Sequence, residues 1–375
     1  MKNTSKLLRL LALLFAFSLV AAACGDDGDE EEGDTQTEDE AGDTTEDSEP
    51  PAPEVEGVEG GTLIWAHEQE PPDMHLDDPN NNLSVTSWIR RALIEGLYGV
   101  SGDTEFYPEL LAQEGEVAEN DDGSVTFNFV LRDGLTWSNG DPLTSSDVEY
   151  TWGIHSEGCD LEDDGTIGDG TGCVYLTGDR SGWDLISDFT VVSDTEFNVT
   201  MVQFFAGWKA LFDEIYHPSF GADAAEVNEN LPEWSNSDGP LVSSGPKIFD
   251  EWDRGVSMSM VANADYHGSN SPDARNDGAP FVDGVQINFV ADTDAQINAL
   301  KAGEAQIIFT QPQLEFGDRL STDENFTVAS QAGPVFEHWG LNVLNPHLAK
   351  PEVREAIAYA IDKTDVMAGL YTPLF

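Results

Sequence analysis

Between Cys159 and Cys173 lies a set of potential cation ligands at a recognisable spacing. Asp160, Glu162, Asp164, Gly165 and Ile167 fall at the first, third, fifth, sixth and eighth positions of a twelve-residue calcium loop. Carboxylates at that spacing wrap a hard cation, and the glycine permits the sharp turn. The twelfth position holds Thr171 where such loops place a bidentate glutamate, so affinity should be greatly weakened and no metal ligand is assigned. The flanking cysteines, Cys159 and Cys173, are expected to form a disulfide that staples a surface insertion, 158–173, a bond suited to a compartment outside the cytoplasm.

Catalytic constellations are thin. There is no His-Glu-x-x-His, no Gly-x-Ser-x-Gly and no phosphate-cradling glycine loop with lysine. The seven histidines are dispersed; if the ligand were a nickel chelate, His75 and His338 would be the candidates to meet it. Chance pairs of carboxylates and nine tryptophans leave open one enzymatic alternative, a lipid-anchored extracellular hydrolase acting on polysaccharide.

The 375 residues carry 72 acidic against 16 basic side chains, a formal charge of -56. That balance excludes nucleic acid as a partner, because a phosphate polymer must be met by clustered Lys and Arg. The acid is concentrated in residues 24–60, which hold seventeen Asp and Glu and no Lys or Arg. So little apolar surface cannot offset ordering entropy, which predicts an extended acidic disordered tether. The remaining part is acidic too, consistent with a hydrated surface suited to a salty medium or with a funnel for cationic ligands.

Residues 1–23 read as an export signal: Lys2, Lys6 and Arg9 precede an apolar run from Leu10 to Val20, then Ala21, Ala22 and Ala23 lead to Cys24. A lone cysteine there resembles a bacterial lipobox, with Ala21 where that motif more often has Leu. The expectation is lipidation of Cys24 and anchoring to the outer face of the cytoplasmic membrane.

Beyond Gly61 the hydrophobic periods alternate between two and 3.6, which predicts a mixed α/β chain. Thr62 to Ala66 forms a short apolar strand. From Ser84 to Tyr98, Val85, Trp88, Ile89, Ala92, Leu93 and Leu97 share a helical face, with Gly96 and Gly99 as the stop. Val125, Phe127, Phe129 and Leu131 alternate as a half-buried strand after the turn at Asn120-Asp121-Asp122-Gly123. Thr144 and Asp147 are spaced as a capping box. A further helix should run from Asp292 to Gly303, ahead of a strand from Ala305 to Phe309, and a last one from Pro351 should lay Val353, Ile357 and Ile361 along a stripe.

These residues carry a resemblance. Gly60-Gly61-Thr62-Leu63-Ile64, Glu95-Gly96-Leu97-Tyr98 and Tyr107-Pro108-Glu109-Leu110-Leu111-Ala112 are followed by Asp122-Gly123, Leu131-Arg132-Asp133-Gly134 and Trp137-Ser138-Asn139-Gly140-Asp141-Pro142, then by the capped helix. Farther on come Ser244-Gly245-Pro246, Leu300-Lys301-Ala302-Gly303-Glu304-Ala305 and Ala358-Tyr359-Ala360-Ile361-Asp362-Lys363. In that order they resemble family 5 extracellular solute-binding proteins, the receptors of peptide and nickel ABC importers.

The resemblance implies an α/β, two-lobe type II periplasmic-binding-protein-like fold with an additional subdomain on lobe I. It divides the chain into lobe I at 61–82 and 196–285, the extra subdomain at 83–195, and the start of lobe II at 286–375. Because the family usually continues well past the Ala-Ile-Asp-Lys helix, the second lobe is expected to be incomplete and the chain truncated. The implied function is non-enzymatic: an exported substrate-binding lipoprotein, without cofactor, that captures a peptide or similar small solute and hands it to permease subunits. Carried over by position, Asn80, Asn81 and Asn82 should meet extended ligand backbone. Ser243, Ser244 and Gly245 should form the opposing loop, and Phe336, His338 and Trp339 should point into the cleft from a second-lobe strand.

Overall fold

The computed structural model describes residues 59–81, 83–274, 278–309, 314–329 and 338–371. Two sheets organise them. The first is centred on β1 (Thr62–His67), an almost continuously apolar strand of the kind that parallel neighbours on both sides require. Strands β2 (Tyr98–Val100) and β3 (Phe106–Pro108) form a small hairpin. The second sheet follows, from β4 (Glu116–Glu119), β5 (Val125–Val130), β6 (Ile186–Val191) and β7 (Glu196–Met201), antiparallel in the order β4-β5-β7-β6. After the short pair β8 (Ser235–Asn236) and β9 (Gly239–Pro240), the chain returns to the first sheet. There β10 (Lys247–Asp253), β11 (Ser257–Ala262), β12 (Gly284–Phe289) and β13 (Ile307–Ile308) complete the order β10-β11-β12-β1-β13, with β12 and β13 both parallel to β1.

The helices follow from local chemistry. Helix α1 (Ser84–Leu93) buries Val85, Ile89 and Leu93, one residue per turn, in a core shared with Phe249, Met258, Met260 and Ile287 of the first sheet. The periodic face suggests continuation to Tyr98, but the helix ends at Leu93 and Ile94 is extended. Long-range pairing wins there: Leu97 N donates to Phe212 O at 2.9 Å and Ile215 N to Glu95 O at 2.9 Å. Gly96 permits this approach, since a Cβ on it would stand 2.4 Å from the Asp213 carbonyl carbon.

Helix α2 (Ser145–Ser156) has the expected capping box, with Thr144 N donating to Asp147 Oδ2 at 2.7 Å. Helix α3 (Ala224–Asn230) is capped by Asp223. Helix α4 (Thr293–Ala302) is capped by Asp292, ends at Gly303 in the left-handed region, and makes the crossover between β12 and β13.

The second sheet's core is aromatic: Phe127, Phe129, Phe189, Phe197 and Trp137 are buried with Leu131 and Val199. The sheets do not follow the expected divisions at 82–83 and 195–196. Helix α1 packs on the first sheet, and β7 pairs with β5 and β6, because the β6–β7 hairpin completes the second sheet. Helices α5 (Leu314–Leu320), α6 (Pro351–Ala360) and α7 (Lys363–Val366) are the remaining α-helices among the described residues. Along α6, Val353 and Ile357, with Ile361 just beyond, are its least exposed apolar positions, as the stripe predicts, but none is buried.

Candidate ligand-binding cleft

Where β1 and β13 end, aromatic side chains gather. Trp65 and His67 belong to β1, Trp88 comes from α1, and Phe309 follows β13 directly. Trp88 and Phe309 lie 4.4 Å apart between ring centroids, Trp65 and Trp88 6.1 Å, and His67 and Trp88 5.6 Å. Trp65 Nε1 donates to Phe309 O at 3.2 Å, which fastens the end of β13 to the central strand. The His67 ring is 2% exposed, burial lowers its pKa, and its Nε2 has no partner among the described residues. Phe309 remains half exposed. In open sheets of parallel strands, ligands sit in the crevice beyond the carboxyl ends. This edge therefore offers aromatic faces for stacking, with the buried His67 ring packed behind them. The sequence reading missed these four residues; the signal was an aromatic and a histidine closing an otherwise aliphatic strand.

The residues singled out from sequence are dispersed by comparison. Asn80 makes a local turn, its backbone and side-chain nitrogens both donating to Asp78 Oδ1 at 2.8 Å, and buried Asn81 donates to Asp73. Asn82, Phe336 and Cys24 lie outside the described residues. Ser243 and Ser244 are fully buried, so neither offers a side chain to solvent as the expected opposing loop would. Instead Ser244 Oγ accepts from Glu95 N at 2.9 Å, and Ser243 exchanges hydrogen bonds with Ser138, N to Oγ at 2.9 Å and O from N at 2.8 Å. Gly245 N donates to Leu93 O at 3.0 Å, and a Cβ there would stand 2.7 Å from Ala92 O. The loop is a clamp on the end of α1.

His338 and Trp339 are exposed, Trp339 at 73%. His75 is buried away from solvent, its Nε2 3.1 Å from Asn228 Oδ1 and its ring beside Tyr175. Cys159 and Cys173 are disulfide-bonded. Within that insertion Asp164 and Asp169 accept from Thr166 and Thr171, and no group of three ligating residues that could hold a metal occurs among the described residues.

Beneath the edge runs a buried polar network. Tyr175 OH donates to Asp77 Oδ2 at 2.8 Å and meets Tyr216 OH at 2.8 Å. His155 stacks on Trp183, with centroids 3.9 Å apart and planes 1° from parallel. Burial pushes the His155 pKa down to about 4, outweighing the pull of Asp77, with Arg180 and His75 lowering it further. The folded value is below the ordinary one, so the unfolded chain binds the proton first. Stability is full above about 6.5 and declines as pH falls towards 4. His155→Phe should remove part of that acid sensitivity: urea midpoints at pH 5 and pH 7.5 should lie closer together than in the wild type. An unchanged gap would assign the acid sensitivity to other groups.

Residues 105–374 match the profile of the bacterial extracellular solute-binding proteins, family 5, middle region. The chain belongs to this family. It is 24% identical over 312 residues to the dipeptide-binding protein DppE of Bacillus subtilis, covering 82% of this chain and 53% of that protein. It is 25% identical to the oligopeptide-binding protein OppA of the same organism, covering 96% of this chain and 60% of that one. The chain thus spans little more than half the length of either relative.

Among solved structures, a periplasmic EDTA-binding protein, EppA, superposes with a TM-score of 0.67 at 21% identity, covering 84% of this chain and 56% of the other. The oligopeptide-binding protein AppA of Bacillus subtilis, in complex with a nonapeptide, gives 0.65 at 20% identity over 84% and 56%. The fold of this family 5 protein is therefore that of the type II periplasmic binding proteins, as its resemblance implied. The family is one of extracellular or periplasmic binding proteins, not of enzymes. Among the described residues no helix is long and apolar enough to cross a membrane.

Proposed function

We propose that this chain captures a peptide or similar small solute outside the membrane as the receptor of an ABC importer. The observation that carries the reading is similarity along 82% and 96% of the chain to two proteins named for dipeptide and oligopeptide binding. The first sheet is then the frame of lobe I, the second sheet its additional subdomain, and residues from 286 onward the start of lobe II. Solute lies against the carboxyl edge of β1 and β13, where Trp88 and Phe309 supply stacking and residues 78–81 border the mouth. His338 and Trp339 approach from the second lobe. Cys24 carries the lipid, residues 24–60 act as the tether, and hinge closure presents the loaded receptor to the permease.

Native mass spectrometry of gently purified protein, followed by calorimetric titration with the peptide so identified, tests this. The expected result is a co-purified peptide and saturable heat without product formation. Turnover of glycans with no peptide binding would instead support a hydrolase.

A further inference from the structure

A second cleft opens at the opposite end of the first sheet. It lies where β1 and β12 begin and α1 finishes, has a volume of about 830 Å³, and is bordered by Arg91, Asp213, Lys247 and Val282. Tyr98, Phe106 and Tyr107 supply an aromatic wall. Its size falls within the range of small-molecule sites.

Most of the charges along it are already paired. Glu214 is bound by Arg90, Lys209 by Glu114, and Lys247 Nζ donates to Val282 O at 2.8 Å. Glu95 is met by His267 Nε2 at 2.9 Å and by Tyr266 OH, and Glu109 accepts from Ser269 Oγ at 2.8 Å and Asn270 N at 3.0 Å. Asp273 accepts from Gly102 N at 2.7 Å. Two groups of opposite sign are left over. Neither Arg91 nor Asp213 has a hydrogen bond or ion pair within the described residues, and both are open to solvent in the cleft.

Arg91 is near enough for its charge to act on Asp213, yet the two form no ion pair with each other. Both therefore face the cleft with hydrogen-bonding capacity to spare, one as donor and one as acceptor.

We propose that this cleft binds a small zwitterion of the amino-acid kind, its carboxylate on Arg91 and its ammonium group on Asp213. The planar guanidinium can take the carboxylate through two parallel hydrogen bonds, while Asp213 accepts from the ammonium. This site is separate from the carboxyl edge of the parallel strands and independent of which solute is captured there.

Titration of the full chain with L-alanine, with propylamine and propionate as single-charge probes, tests the assignment. Alanine should bind saturably and more tightly than either probe. Asp213→Asn and Arg91→Gln should each weaken it by more than about tenfold, as expected for loss of a charged hydrogen-bond partner. Asp213→Asn should fold with a melting temperature close to that of the wild type, and if either variant fails to fold the other decides. Absence of saturable alanine binding, equal binding of propylamine, or affinity unchanged in the folded variants would overturn the proposal.

Discussion

Replacing Arg90 by alanine should cost about 3–5 kcal/mol, the loss expected when one partner of a buried ion pair is removed. The side chain has no exposed surface, and every direction of its guanidinium is used. Nε donates to Glu214 Oε1 at 3.1 Å, Nη2 pairs with Glu214 Oε2, and Nη1 donates to Met74 O. The cation also sits 4.6 Å from the Trp234 ring centroid and 5.9 Å from that of Tyr216. Burial opposes the charge, but Glu214 first and then Tyr216 and Tyr175 outweigh it, so Arg90 stays charged with a raised pKa.

Alanine would strand the Glu214 carboxylate and the Met74 carbonyl and leave a void beside two rings. The double variant Arg90→Met, Glu214→Met should recover much of the loss, because it removes both charges while keeping volume. Urea midpoints of the wild type, both single variants and the double variant form the cycle. If Arg90→Ala fell within about 1 kcal/mol of wild type, the pair would be peripheral to the fold.

Arg90 also shows what the sequence withholds. Its place on the amphipathic helix was legible, since Val85, Ile89 and Leu93 form the stripe that period 3.6 predicts. That period nevertheless puts Arg90 where a solvated charge is expected, because its partner, Glu214, lies more than a hundred residues away. The same long-range blindness explains the helix end. Local spacing favours continuation to Tyr98, and only pairing with residues 212–215 makes the chain turn at Ile94. Strand β5, the capping box at Thr144 and the Asp292–Gly303 helix were legible because their signals are local.

The candidate site was less so. Ser243-Ser244-Gly245 has the composition of a ligand loop, yet its serines are spent on Ser138 and Glu95, and its glycine on close approach to α1. Trp65, Trp88 and Phe309 were absorbed into expected core because period alone does not reveal which aromatics sit at a strand's open end. The family assignment escaped this limit because the order of turns in the chain is a one-dimensional pattern.

The turn at Trp137 joins these two levels, and Trp137→Ala should destabilise the protein by about 3–5 kcal/mol, the usual cost of emptying a buried indole's volume. Trp137 is fully buried in the second sheet's core, with His217 at 5.1 Å and Phe220 at 6.3 Å between centroids. Its backbone shapes the turn: Trp137 N donates to Asp141 O at 2.9 Å, and Gly140, at φ +87°, donates back to Trp137 O at 2.9 Å. Ser138 next to it holds Ser243, which precedes the clamp on α1. A cavity beneath the turn should therefore be felt beyond the core. Amide exchange at Gly245, whose N–H is bound to Leu93 O, should accelerate in the alanine variant even under conditions where the whole chain remains folded.

Trp137→Phe separates packing from polarity. Its indole N–H acts on the Asp147 carboxyl, one of the groups that pull that pKa back against burial, so phenylalanine removes one polar contact while keeping much of the ring volume. That variant should lose less than about 2 kcal/mol. Equal losses for the two variants would mean that the indole nitrogen, through Asp147, contributes more than the ring's bulk. A slow Gly245 amide in a destabilised Trp137→Ala protein would show that the Ser243 loop is held by α1 alone.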